Sequence, residues 1–169
     1  MGLTISRILV PVDFSAHSES ALEYAIALAD RLDAMLHLLH VVEDPIATGA
    51  LNPEGVMTDL TELRAELIAD AEQRLLAYRG QAERAAVPVV TAARLGLTSP
   101  TILEYARTFN VDLIVMGTHG RTGVAHLFMG SVAERVLRHA PCPVLTVRDG
   151  AQREDRREPA VRVAVGSRQ

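Results

Sequence analysis

The sequence predicts an α/β protein, with five parallel strands in a doubly wound sandwich and helices on both faces. Three observations carry this. Strand and helix signals alternate along the chain. The strand segments are near-continuous apolar runs, as expected of a parallel sheet covered on both sides. At 169 residues the chain is long enough to bury a real core in one domain.

The first strand is Arg7-Ile8-Leu9-Val10-Pro11-Val12-Asp13, a short apolar run ending at a carboxylate. A helix follows from Ser15 to about Leu32, with Leu22, Ile26 and Ala29 on one stripe and Ala21, Ala25, Leu28 and Leu32 beside it. Met35 to Val42 is the second strand. Residues 43–56 hold Pro45, Gly49, Pro53 and Gly55 and are expected to form a long irregular loop. From about Met57 to Arg84, Leu60, Leu63, Leu67, Ala71 and Leu75 recur every three or four residues, predicting a long amphipathic helix. Val87 to Leu95 is the third strand. Ser99 is expected to cap the next helix, with Pro100 at its first position and Asn110 ending it. Val111 to Met116 is the fourth strand, Val132 to about His139 a helix, and Pro143 to Arg148 the fifth strand. Beyond Arg148 the chain turns charged and unpatterned and reads as a tail, 149–169. Within it Val161, Val163 and Val165 alternate with Arg162 and Ala164, as in a short edge strand or a disordered end.

Composition excludes several functions. Aromatics are 4% of the chain and Trp is absent, which argues against a stacking platform for single-stranded nucleic acid. A net charge of −4 gives no electrostatic footprint for nucleic acid or an anionic membrane. No apolar run is long enough to span a bilayer. The first residues lack the layout of a signal peptide, so a cytoplasmic location is expected. The single cysteine, Cys142, rules out an internal disulfide framework. All 17 basic residues are arginine. Without lysine there is no Walker-type phosphate loop and no Schiff-base chemistry.

The most informative motif is Gly117-Thr118-His119-Gly120, then nine intervening residues, then Gly130-Ser131. It lies between a buried strand and a helix start. Glycines let a backbone approach an anion, and a helix start offers unpaired N–H groups and the positive end of a dipole. In doubly wound sheets ligands sit beyond the carboxyl ends of the strands, where strand order reverses. Asp13, Val41 and Gly117 all stand at such ends and are expected to converge on one crevice.

This spacing resembles the universal stress protein family, as do the opening Ile8-Leu9-Val10-Pro11-Val12-Asp13-Phe14-Ser15 and the segment His139-Ala140-Pro141-Cys142-Pro143-Val144-Leu145. The resemblance covers roughly residues 5–148. It implies a Rossmann-like three-layer fold with strand order 3-2-1-4-5, and dimerisation through the last strand. Members that keep this glycine pattern generally bind ATP. The carry-over places Asp13 at the ribose, the Val41 backbone at the adenine edge, and Gly117 and Gly120 near ribose and phosphates. Gly130, Ser131 and Val132 fall at the helix start that holds the phosphates. Pro11, Val12 and Met116, in the matching strand ends, are expected beside them. Mg²⁺ or Mn²⁺ would accompany the phosphates, with Asp13 as its candidate ligand.

Each residue also has a plainer reading. Asp13 is two residues before Ser15 and is suited to a local cap. Ser131 is suited to an N-cap, and the glycines to turns. Arg121, the one basic side chain between Gly120 and Gly130, is either a neutraliser of the phosphates or an exposed arginine. His37 and His40 are three apart on a strand, on opposite faces, and do not chelate one metal. Cys142 reads as a lone buried thiol. The implied function is a regulatory ATP-binding homodimer with an unidentified downstream protein partner. The alternatives are a slow ATPase or phosphotransferase using Asp13 and a metal, an AMP or cyclic-AMP binder, and a nucleotide-free scaffold.

Overall fold

The computed structural model describes residues 4–46, 48–49, 60–118 and 129–148. Gly120, Arg121, the start of the long helix at 57–59 and the tail with its candidate strand at 161–165 lie outside the described residues.

The elements are β1 (Arg7–Pro11), α1 (Ala16–Leu32), β2 (Met35–Glu43), α2 (Leu60–Arg84), β3 (Val89–Gly96), α3 (Thr98–Thr108), β4 (Leu113–Gly117), α4 (Ser131–His139) and β5 (Val144–Val147). The strands form one sheet in the order β3-β2-β1-β4-β5, every neighbour pair parallel. Strand order reverses between β1 and β4, so the crevice at that point opens over their carboxyl ends.

Alternation within each strand sorts the core into two layers. Ile8, Val10, Leu36, Leu38 and Val115 pack on α1 and α2, in a cluster that also holds Ala21, Leu22, Ala25, Ala71 and Leu75. Leu9, Leu39, Val41, Ile114 and Met116 pack on α3 and α4 with Ile102, Tyr105, Ala133 and Val136. The alanine stripe of α1 is small enough to bring this helix close to the sheet. Helix α1 starts at N-cap Ser15, whose hydroxyl accepts from Ser18 N. It ends at Asp33 in the left-handed region (φ 53°), whose N–H returns to Ala29 O.

The expected cap of the third helix is corrected. Helix α3 begins at Thr98 with Leu97 as its N-cap, and Ser99 is a buried residue of the first turn. The first helical bond runs from Thr101 N to Leu97 O (3.0 Å). The N–H groups of a first turn have no acceptor within the helix, so proline fits anywhere in that turn and Pro100 did not mark its start.

Candidate functional site

Strand β1 ends at Pro11, and Asp13 lies just beyond it. The Asp13 Oδ1 accepts from Ser15 N (3.0 Å) and Ser15 Oγ (2.5 Å). The local-cap reading of Asp13 is therefore real: it braces the residue that caps α1. Between them Phe14 takes φ 64°, a left-handed conformation uncommon outside glycine and asparagine. The Phe14 ring is held by His40 (centroids 4.4 Å apart) and Tyr78 (5.4 Å), with the Arg74 guanidinium carbon 3.9 Å from its centre. His40 in turn donates from Nδ1 to Val12 O (2.7 Å). This packing over-determines the turn that carries Asp13.

On the other side of the reversal, β4 runs into Gly117 and the buried Thr118. Thr118 N donates to Val147 O (3.0 Å), and Gly130 N donates to Thr118 O (2.8 Å). The second bond pins the start of α4 to the end of β4. Gly130 is the N-cap of α4, at φ −61° and ψ 145°, and offers no side chain to accept from the first-turn N–H groups. The reading of Ser131 as the N-cap is corrected: Ser131 is the first residue of the helix.

These pieces surround a cleft of about 640 Å³ over the β1/β4 reversal. Sites for small organic ligands typically measure about 300–1,000 Å³. Pro11, Val12, Asp13 and Val41 line it from the β1 and β2 side. Met116, Gly117, Gly130, Ser131 and Val132 line it from the β4 and α4 side. The fold thus brings nine of the residues singled out in the sequence to one cleft, while Gly120 and Arg121 lie outside the described residues.

Gly117 has a second reason to be glycine. A Cβ there would meet the α1 backbone at His17 O (3.0 Å) and His17 C (3.1 Å). Its small size serves the approach of α1 to β4 as well as the cleft.

Several lining residues escaped the sequence reading. Arg74 and Asp70 come from α2, and Glu43 and Thr98 close the β2 end, where Thr98 Oγ1 donates to a Glu43 carboxylate oxygen (3.0 Å). Arg74 carried no usable signal, because it is one of several arginines on a 25-residue helix with a weakly marked apolar face.

Of the other residues weighed in the sequence, His40 lines the cleft, while His37 and Cys142 fall away from it. His37 is buried against α3, its Nδ1 3.1 Å from the Tyr105 hydroxyl and its Nε2 without a partner. Burial, helped by the nearby Arg7 charge, holds its pKa below the ordinary value. Burial likewise raises the Tyr105 hydroxyl. Cys142 is half-buried, and burial together with Asp112 pushes its thiol up, so it is poorly suited to redox work. Among the described residues, no group of three or more His, Cys, Asp or Glu side chains could hold a metal ion, and no helix is long and apolar enough to cross a membrane. Among the described residues, then, a metal at Asp13 would draw its other ligands from phosphate and water. That is the ordinary situation for Mg²⁺, and a carboxylate lining the cleft fits it.

Comparison with known proteins gives a consistent answer. Residues 4–148 match the profile of the Universal stress protein family. The chain is 37% identical over 142 residues to universal stress protein MJ0531 of Methanocaldococcus jannaschii, covering 84% of this chain and 81% of that protein. The solved universal stress protein UspA from Lactobacillus plantarum superposes with a TM-score of 0.72 at 29% identity, covering 87% of this chain and 100% of that one. The hypothetical protein MJ0577, whose structure was used to assign its biochemical function, superposes with a TM-score of 0.75 at 28% identity, over 86% of this chain and 97% of that one.

Proposed function

The chain belongs to the universal stress protein family, and we propose that it is an ATP-binding member acting in the cytoplasm as a regulatory homodimer. One observation carries the reading. The start of α4 faces the cleft with no side chain capping it, across from Asp13 and the carboxyl end of β2. The N–H groups of Ser131 and Val132, with the helix dipole behind them, suit the phosphates. The Asp13 carboxylate suits the paired hydroxyls of a ribose. The Val41 main chain, in the apolar wall made with Met116 and Ile102, suits an adenine edge. Mg²⁺ or Mn²⁺ would accompany the phosphates, with Asp13 as the protein's ligand. Its chemistry there is charge neutralisation.

Nucleotide occupancy would set the surface presented around residues 117–130, and a protein partner would read it. Asp13 is engaged by Ser15, so it is a poor general base for water attack, and any hydrolysis would be slow and driven by positioning of the phosphates. The dimer contact is assigned to β5, an outer strand of the sheet with Leu145 39% exposed.

A monophosphate or cyclic nucleotide is the second reading. Universal stress proteins have been solved with cAMP, with AMP (Arabidopsis thaliana) and with dAMP (Archaeoglobus fulgidus), at 21%, 20% and 19% identity to this chain. At that distance the likeness carries the fold alone, and experiment must choose the ligand. Mass spectrometry of the small molecule released on denaturing the purified protein identifies it. Gly130→Val tests the site. The Gly130 backbone conformation is open to any residue, so the fold should survive while a side chain blocks the phosphate, and ATP affinity should fall at least about tenfold. Unchanged affinity would overturn the site.

A further inference from the structure

We propose that Arg74 is the cation that meets the phosphate part of the bound nucleotide, an inference that rests on the adenine-nucleotide reading above. The chain has no lysine, so any fixed positive side chain in the cleft is an arginine. Among the described lining residues Arg74 is the one arginine, and the imidazole that also lines the cleft, His40, gives its Nδ1 to Val12 O. It belongs to α2, which packs on one face of the sheet, whereas α4 packs on the other. Arg74 and the α4 amides therefore flank the cleft from two sides, and an anion between them would be held from both.

The guanidinium is positioned before any ligand arrives. It lies 3.9 Å from the centre of the Phe14 ring, and that ring is wedged by His40 and Tyr78. Stacking on an aromatic face leaves the N–H edge of a guanidinium available for a bidentate grip on phosphate. Its own carboxylate neighbour, Asp70, is 3.9 Å away, at the outer limit of an ion pair, and both side chains are well exposed (47% and 72%). That contact is weak enough to yield to a phosphate. Phe14 directly follows Asp13, so the ring that anchors the charge belongs to the same turn as the residue assigned to the ribose.

The competing account is that Arg74 only packs on Phe14. A ligand series separates the two. Adenosine, AMP and ATP are titrated by calorimetry, each with excess Mg²⁺, into the full-length wild type, Arg74→Gln and Arg74→Lys. For Arg74→Gln, ATP affinity should drop at least about tenfold, the size of one charge-assisted hydrogen-bonded contact, AMP affinity should drop less, and adenosine affinity should stay within twofold. Arg74→Lys should recover part of the loss and keeps the test alive should the glutamine variant fold poorly. Equal losses for adenosine and ATP, or no loss for ATP, would overturn the proposal while leaving the nucleotide site standing. A wild type that takes up none of the three would overturn both.

Discussion

Gly117→Ala separates a glycine needed by the fold from one needed by a ligand. A Cβ at this position would sit 3.0 Å from His17 O, 3.1 Å from His17 C and 3.1 Å from His17 Cβ. Two of these are main-chain atoms in the first turn of α1, so no rotamer change relieves the contact. The helix must move by a few tenths of an ångström. Movement is resisted, because Ala21, Leu22 and Ala25 fix the same helix against the sheet and are fully buried. Insertion of one methyl into such packing costs about 1–3 kcal/mol. For a chain of this length that lowers Tm by roughly 3–9 °C. The assay is thermal and urea unfolding of the nucleotide-free protein, with no ligand in either arm. A variant whose stability lies within about 0.5 kcal/mol of wild type, the scatter of ordinary surface changes, would refute the claim that Gly117 is small for the sake of α1.

Three further outcomes follow from particular contacts. His37 is neutral in the folded protein to lower pH than in the unfolded chain, whose histidine protonates near its ordinary 6.5. Its contribution to stability is therefore constant above pH 6.5 and is lost as pH falls below it, because the unfolded chain takes the proton first. The urea midpoint should fall between pH 7 and pH 5, less steeply in His37→Gln, and identical slopes would sink the assignment. Asp112 Oδ2 accepts from Ser6 N and Arg7 N, both at 2.9 Å, tying the start of β1 to the start of β4. Asp112→Ala should cost about 1–2 kcal/mol in urea unfolding, as expected for two modest hydrogen bonds at an exposed site. Chelating divalent cations should weaken ATP binding but leave adenosine binding unchanged, a pair of titrations that Asp13→Asn should make alike.

Much of this architecture was legible from periodicity. Buried parallel strands such as Leu113 to Met116 leave a continuous apolar run that turns and caps cannot imitate. Strand ends then place Asp13, Val41 and Gly117 on one side of the sheet without further information. What escaped depended on contacts between distant segments. The left-handed Phe14 carries no glycine or asparagine signature, since its conformation is imposed by His40, Tyr78 and Arg74 from β2 and α2. Ser99-Pro100 misplaced a helix start by two residues because first-turn positions share the same freedom from intrahelical bonding. The glycines show the same limit. Gly117 meets a neighbouring helix and Gly130 caps one, and a spacing motif records both as the same letter.

The charge around the cleft narrows what can bind in it. Asp13, Glu43 and Asp70 line it against one described guanidinium, Arg74. Like charges about 6 Å apart repel by about 3 kcal/mol per pair at an effective dielectric near 20. A helix terminus returns only about 0.3–1 kcal/mol to an exposed anion, and up to about 2 when partly buried. A bare polyanion would therefore be poorly held by α4 alone. Two arrangements resolve this. A divalent cation can enter with the phosphates and satisfy a carboxylate, or the nucleoside can supply most of the binding through the apolar wall of Val41, Met116 and Ile102. The second makes affinity follow the base and ribose and depend only weakly on phosphate number. The first makes it depend on metal. Titrating adenosine and ATP with and without Mg²⁺ measures how the cleft divides the work, and the acidic lining is the reason the two ligands should part company when the metal is removed.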